Sequence, residues 1–183
     1  MSDHVERIDR KLLHAGTIID MYTDTMRLPN GDIETWDFIK HRTGAAAILP
    51  ILPDGKLLLV RQYRPALDRF ALEVPAGARD SISEPSIDCA YRELEEETGY
   101  KCEHLTPLLK LRTTVAFCDE SIDIFLAEHL TKGERHLDPA ESIELCAYTL
   151  EEALSMIFDG TIQDSKTLSA ILAYQTRLSS RAK

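Results

Sequence analysis

The chain has 183 residues, a formal net charge of −10, 28% charged and 44% apolar residues, the make-up of a soluble globular protein of one domain or of a core with a modest extension. The acidic balance argues against binding a nucleic-acid polymer, where Lys and Arg must neutralise phosphates. It leaves room for a small phosphorylated ligand, because a bound divalent cation inverts the local electrostatics. Cys89, Cys102, Cys118 and Cys146 form no CxxC pair, so neither a zinc site nor a disulfide framework is expected. The polar start MSDHVERIDRK carries no apolar core of a secretory signal, and the longest apolar run, Ala45 to Leu52, is too short to span a bilayer. A cytoplasmic protein is the expectation.

Residues up to about 43 read as an antiparallel β extension. Leu12 to Ala15, Thr17 to Tyr22 and Glu34 to Ile39 are its strand-like pieces, and Asn30-Gly31 is a strong hairpin-turn signal between the last two. A sheet this small rarely stands alone, so it is expected to pack on the rest of the chain or on a second copy. From residue 44 to 183 a second, larger domain is expected. Ala45 to Leu52 reads as a buried strand, Pro53-Asp54-Gly55 as a turn and Lys56 to Arg64 as the returning strand, followed by a short extended piece over Phe70 to Pro75.

A helix is predicted from near Ser83-Glu84-Pro85, with Ser as N-cap and Pro in the first turn, to Gly99, a natural terminator. Strand-like segments follow at Leu108 to Thr114, Ile122 to Ala127 and Leu145 to Thr149, then helical patterns at Leu150 to Phe158 and Ser165 to Leu178. The whole predicts an α+β fold in which one helix delivers an acidic face.

That face is Arg92-Glu93-Leu94-Glu95-Glu96-Glu97. Positions i, i+3 and i+4 share one side of a helix, so Glu93, Glu96 and Glu97 converge while Glu95 points elsewhere. Like charges so placed destabilise a helix unless something cancels them, and Mg²⁺, which prefers oxygen ligands, would do so. From spacing alone, a metal site and a plain solvated acidic face are both open.

Read as a unit, Gly77 to Tyr100 resembles the signature of the Nudix hydrolases, G-x5-E-x7-R-E-U-x-E-E-x-G-U, where U is bulky and apolar. Gly77 is followed by six residues before Glu84, one more than the pattern; from Glu84 onward the match holds through Gly99, with Tyr100 in the last apolar place. Gln62 to Ala66, Glu73 to Gly77, Phe117 to Glu120 and Phe125 to Ala127 look like the branch that cleaves ADP-ribose and nucleoside-diphosphate sugars. In that branch Ser-Pro-Gly usually stands where this chain has Thr114-Val115-Ala116, which weakens strict ADP-ribose preference and favours other nucleotide sugars.

The resemblance implies a Nudix-type mixed sheet sandwiched by helices, with the N-terminal β extension (1–43) serving dimerisation and the substrate pocket, ahead of a catalytic domain (44–183). It implies Mg²⁺, with Mn²⁺ as the alternative ion, held by Glu93, Glu96, Glu97 and the carbonyl of Ala76. Arg92 is expected to orient Glu96 across one helical turn, the alternative being an ordinary surface pair. The general base is expected from the late loop, Glu141 first and Glu144 second, unless both are simply solvated charges. Arg64 is expected on a phosphate and Glu120 on a ribose or sugar hydroxyl. Trp36 and Tyr22 are candidates for stacking on a nucleobase, against core or dimer packing. The implied reaction is hydrolysis of a nucleoside-diphosphate sugar to a nucleoside monophosphate and a sugar phosphate, and the implied assembly is a homodimer. The competing readings are a dinucleoside-polyphosphate or NADH pyrophosphatase and a non-catalytic nucleotide sensor of the same fold.

Overall fold

The computed structural model describes residues 3–137 and 142–181. The chain forms two compact units, Met1–Gly44 with Arg112–Ser121, and Ala45–Leu111 with Ile122–Lys183.

The first unit is an antiparallel meander of β1 (Glu6–Ala15), β2 (Ile19–Arg27) and β3 (Ile33–His41). The Asn30-Gly31 turn joins β2 to β3, and Gly31 takes φ +93, a conformation a side chain would resist. Asp24 is buried in β2 and carries Arg10, whose Nε and Nη2 each donate to it at 2.6 Å. The Arg10 guanidinium also lies 3.8 Å from the ring centre of Phe38, so one cation knits all three strands together. The segment 112–121 joins this unit rather than the larger one, an arrangement not expected from chain order. Its backbone runs beside β3, with Ile39 N–H donating to Phe117 O (2.7 Å) and His41 N–H to the Asp119 carboxylate (2.8 Å).

The second unit holds a four-stranded sheet in the order β7 (Ala76–Ala78), β4 (Ala45–Pro50), β10 (Ser121–Ala127), β9 (Leu105–Arg112). A three-stranded sheet is ordered β12 (Ile143–Tyr148), β5 (Leu57–Arg64), β6 (Arg69–Glu73), and a short pair joins β8 (Tyr100–Lys101) to β11 (Thr131–Lys132). Three helices complete it: α1 (Ser86–Thr98), α2 (Leu150–Phe158) and α3 (Ser165–Arg181). β4 runs parallel to β10 and antiparallel to β7.

The uninterrupted apolar run of β4 is explained by burial on both of its faces. Ala46 and Ile48 pack with Cys89, Ala90 and Leu94 of α1, whereas Ala47 and Leu49 pack with Leu57, Leu59, Ile124, Leu126 and Ile171. Full burial of each of these larger side chains contributes about 1.5–3 kcal/mol.

Two expectations need correcting. β4 and β5 are joined by the Pro53-Asp54-Gly55 turn but are not a hairpin: past a single bridge, Ile51 to Leu57, they part into different sheets. The helix starts at Ser86, with Pro85 as a cap residue that offers no side-chain bond, and not at Ser83. Ser81 and Ser83 instead spend their hydroxyls on the preceding loop, where Ser81 Oγ accepts the Glu84 N–H. Gly99 does end α1, in the left-handed region at φ 71, donating its N–H to Glu95 O at 2.7 Å. α2 spans the expected residues and carries a full capping box between Thr149 and Glu152.

A buried polar node joins the strands to α3. Glu73 accepts Nε and Nη2 of Arg64 at 2.6 and 2.7 Å and the ammonium of the buried Lys166. Thr167 accepts the Val74 N–H (2.8 Å) and donates to Asp164 (2.6 Å), which caps the first turn of α3. Burial alone would raise the Glu73 pKa; Arg64 and Lys166 outweigh it and bring it down to about 2 from 4.5. A folded-state value below the unfolded one contributes stability that is complete above pH 4.5 and fades as pH falls toward 2. The contribution is on the order of 3 kcal/mol. Denaturant midpoints measured across that window should fall steeply in the native protein. In Glu73→Gln they should start lower, because Arg64 loses its anionic partner and Lys166 keeps only Asp164, and fall less steeply.

Candidate active site

α1 is seated against β7, and the seating places each acidic side chain differently. Glu97 is buried and its Oε2 accepts the Ala76 N–H at 3.1 Å. In a strand the N–H and C=O of one residue point to the same side. β7 is an edge strand and the Ala76 N–H is spent on α1, so the Ala76 carbonyl also faces away from β4. Glu93 is buried beside Gly77, and a Cβ at position 77 would lie 2.0 Å from Glu93 Oε1. Only glycine leaves room for this carboxylate.

Arg92 gathers the rest. Its Nη1 donates to Glu93 Oε1 at 2.6 Å and to Glu96 Oε2 at 2.9 Å, and its Nη2 to Ala78 O at 3.1 Å. Its Nε has no hydrogen-bond partner among the described residues and sits 3.5 Å from Glu84 Oε1. Partial burial works against its charge, but the charge of Glu93 and the bonds from Glu96 and Glu93 outweigh it, so its pKa lies above the ordinary value. Glu84 also closes the loop that carries the extra residue, its Oε2 accepting the Asp80 N–H at 2.6 Å. Glu95 points away, as the helical spacing requires, to Lys101 at 2.8 Å. Beneath Gly77, burial pushes the Cys89 thiol up to about 12, which keeps it protonated and unreactive.

Among the described residues no three acidic, His or Cys side chains stand ready-gathered as an ion site. The reason is visible: Arg92 draws Glu93 and Glu96 onto its own guanidinium, while Glu97 bonds to backbone. The donor set nevertheless fits a hard cation, being carboxylates and a carbonyl from one helix face and one edge strand, with the Gly77 gap holding Glu93 in place.

The other expected residues are dispersed. Glu141 lies outside the described residues. Glu144 is exposed on β12, where its Oε2 accepts Arg61 Nη1 at 3.1 Å across the β5–β12 register. Arg61 is in turn held 3.8 Å over the Phe70 ring. Arg64 is bound to Glu73 rather than standing free. Glu120, Tyr22 and Trp36 belong to the first unit. Glu120 accepts Thr113 Oγ1 at 2.7 Å and lies 3.6 Å from His41 Nε2. Tyr22 packs within its own sheet, its ring tilted against Phe38 at 6.1 Å, and the half-exposed Trp36 donates to Glu34 at 3.0 Å.

Glu73, Lys166 and Arg135 frame the site without being among the expected site residues. The first two had a signal, since a charge inside an otherwise apolar strand or helix must find a partner. Arg135 had none: its Nε donates to Glu97 O at 2.6 Å and its Nη2 to Ile143 O at 2.7 Å, a link between segments distant in sequence.

The family model of the NUDIX domain matches residues 40–171. The chain is 38% identical over 172 residues to an ADP-ribose pyrophosphatase of Bacillus subtilis, covering 93% of this chain and 92% of that one. It is 37% identical over 166 residues to a methanol dehydrogenase activator of Bacillus methanolicus, covering 90% and 89%. In fold it is similar to a solved structure of an ADP compounds hydrolase, with a TM-score of 0.88 at 20% identity over 98% of this chain and 96% of that one. The chain belongs to the Nudix family. It is a hydrolase of that family.

Gly77→Ala tests the seating. The obstructed atoms are the far end of a flexible side chain, so the fold should survive with a melting temperature close to native. Turnover should drop on the order of a hundredfold as Glu93 is displaced. Unchanged turnover would show that the carboxylate need not sit there.

Proposed function

We propose that the protein hydrolyses the pyrophosphate bond of nucleoside-diphosphate sugars of the ADP-ribose, ADP-glucose or GDP-mannose type, with Mg²⁺ (or Mn²⁺) as cofactor. The observation that carries the reading is the α1 carboxylate set seated on β7 around Arg92. The likeness to an ADP-ribose pyrophosphatase over nearly the whole chain supports the substrate class.

In this reading Glu93, Glu96, Glu97 and the Ala76 carbonyl hold the cation. When bound, it supplies charge neutralisation on the diphosphate and a water of lowered pKa. Arg92 restrains Glu93 and Glu96 so that their oxygens are oriented before substrate arrives. Arg64, with two N–H groups on Glu73, turns its remaining edge to a phosphate oxygen. Glu141 or Glu144 accepts the proton of the attacking water. The water oxygen bonds to one phosphorus as that atom's bond to the bridging oxygen breaks, and the electron pair leaves with the bridging oxygen. The products are a nucleoside monophosphate and a sugar phosphate. Glu120 on a sugar hydroxyl and Tyr22 and Trp36 near a base complete the assignment.

A homodimer belongs to the same proposal. β1 is exposed along almost its whole length, and Ile8, Leu12, Leu13, Ile33 and Trp36 leave apolar surface on a three-stranded sheet that a second copy would cover. No helix among the described residues is long and apolar enough to cross a membrane.

Glu96→Gln and Glu97→Gln should each lower turnover by orders of magnitude, with circular dichroism and melting curves showing a folded protein. Assays of ADP-ribose, ADP-glucose, GDP-mannose, NADH and a dinucleoside tetraphosphate with Mg²⁺ should give the highest kcat/KM on a nucleotide sugar. Full activity in both variants would remove the metal assignment, and preference for NADH or the dinucleotide would remove the substrate class.

A further inference from the structure

The last turn of a helix leaves its carbonyls without donors from the helix itself. In α1 two of those carbonyls belong to Glu96 and Glu97, whose side chains are assigned above to the cation, and one segment of chain meets both. The His136 N–H donates to Glu96 O at 3.1 Å, and Arg135 Nε donates to Glu97 O at 2.6 Å. A further bond, from the Gly133 N–H to Gly99 O at 2.8 Å, lays the same segment along the end of the helix. Gly99 leaves room for it: a Cβ there would lie 3.3 Å from the Arg135 Cβ.

The Arg135 guanidinium also reaches beyond the helix. Its Nη2 donates to the carbonyl of Ile143, the first residue of β12, at 2.7 Å. Glu144 is the next residue and Glu141 stands two before Ile143 in sequence, and these are the two carboxylates proposed above to accept the proton of the attacking water. One planar group thus joins the backbone of a cation ligand to the backbone beside the base. We infer that Arg135 is a positioning residue for hydrolysis, holding the start of β12 at a fixed separation from the cation-holding turn of α1. The inference rests on the roles given to α1 and to Glu141 or Glu144 in the function proposed above.

That separation is not set by strand register. β12 pairs with β5 in the three-stranded sheet, whereas α1 packs on β4 and bonds to β7 in the four-stranded one. A general base must nevertheless stand within about 2.6–3.2 Å of the water it deprotonates. A misplacement on the order of 1 Å costs about a hundredfold in rate. Arginine suits the task because its N–H groups lie on a rigid planar fork and hold two acceptors at a set distance, which the single ammonium of lysine does not. Both acceptors are neutral backbone carbonyls, so what the guanidinium supplies here is geometry.

Arg135→Ala and Arg135→Lys test the role against Lys101→Ala, which removes the partner of Glu95 from the same end of α1 and leaves both Arg135 bonds in place. Turnover is measured with Mg²⁺ on whichever substrate of the panel above the native enzyme cleaves best. In both Arg135 variants kcat should fall about tenfold to a hundredfold with KM within about twofold of native. Mn²⁺ alone, titrated calorimetrically into the metal-free protein, should bind as tightly as to the native chain. Lys101→Ala should keep the native kcat even where its melting temperature falls as far. Guanidinium ion at millimolar concentration should restore part of the lost kcat in Arg135→Ala and leave Lys101→Ala unchanged. In the metal-free protein the amide NMR signals of Thr98 and Glu144, which follow the two bonded carbonyls, should move in both Arg135 variants and return toward native when guanidinium is added to Arg135→Ala.

A lowered melting temperature with unchanged kcat would make Arg135 a fastening alone and overturn the inference. So would a loss of Mn²⁺ affinity that matches the loss of kcat, because the residue would then act by seating the cation ligands. Should Arg135→Ala fail to fold, Arg135→Lys, which keeps the charge, decides by the same readouts. If the best substrate is NADH or the dinucleotide, the proposed substrate class fails, while the same comparison of kcat on that substrate still decides the role of Arg135.

Discussion

Everything at the candidate site depends on a contact with no spare room, that of Gly77 with the Glu93 carboxylate. Because β7 carries no side chain there, α1 approaches closely enough for Glu97 to reach the Ala76 N–H and for Arg92 to reach the Ala78 carbonyl. The helix is thereby held to the strand by hydrogen bonds at both flanks of the close approach. Acidic residues that would repel on a free helix are instead separated by partner: Glu93 and Glu96 to Arg92, Glu97 to backbone, Glu95 to Lys101. The arrangement spares α1 much of its self-repulsion and orders the carboxylates before any ligand arrives.

A second constraint works behind this one. Burying Glu73 between Arg64 and Lys166 is favourable only while both cations remain, since an unpaired charge in that place is strongly destabilising. The node therefore fixes the end of β5, the end of β6 and the start of α3 in a common frame. Thr167 and Asp164 extend the frame to the Val74 backbone, directly ahead of the strand that seats α1. Arg135 does the corresponding work at the far end of α1, joining its last turn to the beginning of β12.

Local chemistry was legible from residue types wherever it was decided by neighbours in sequence. The Asn30-Gly31 turn, the buried β4, the extent of α2 and the terminator Gly99 all follow from short-range signals. The carboxylate spacing of α1 likewise identified which side chains share a face and which one, Glu95, does not. What escaped was decided at long range. Nothing between Ala45 and Arg64 announces that β4 and β5 part into different sheets, because the choice is made by β10 and β12. β7, β8 and β11 are too short for any periodicity to register. α1 starts later than its residue types suggest because Ser83, a good cap in isolation, shares its hydroxyl with Ser81. The affiliation of residues 112–121 with β3 depends on backbone bonds that no side-chain pattern encodes.

The parallel pairing of β4 with β10 also sets an order of events during synthesis. The β1–β2–β3 meander needs only near neighbours and can pair as soon as residue 41 has emerged. β4 follows immediately in the chain but finds its parallel partner only when Ala127 is made, and β5 waits for β12, with Arg61 and Glu144 separated by 83 positions. Throughout that interval the most apolar strand of the protein has no parallel partner, and such long-range pairings are slow to close. Nascent chains are thus most exposed to association with one another between the completion of β4 and the arrival of β10.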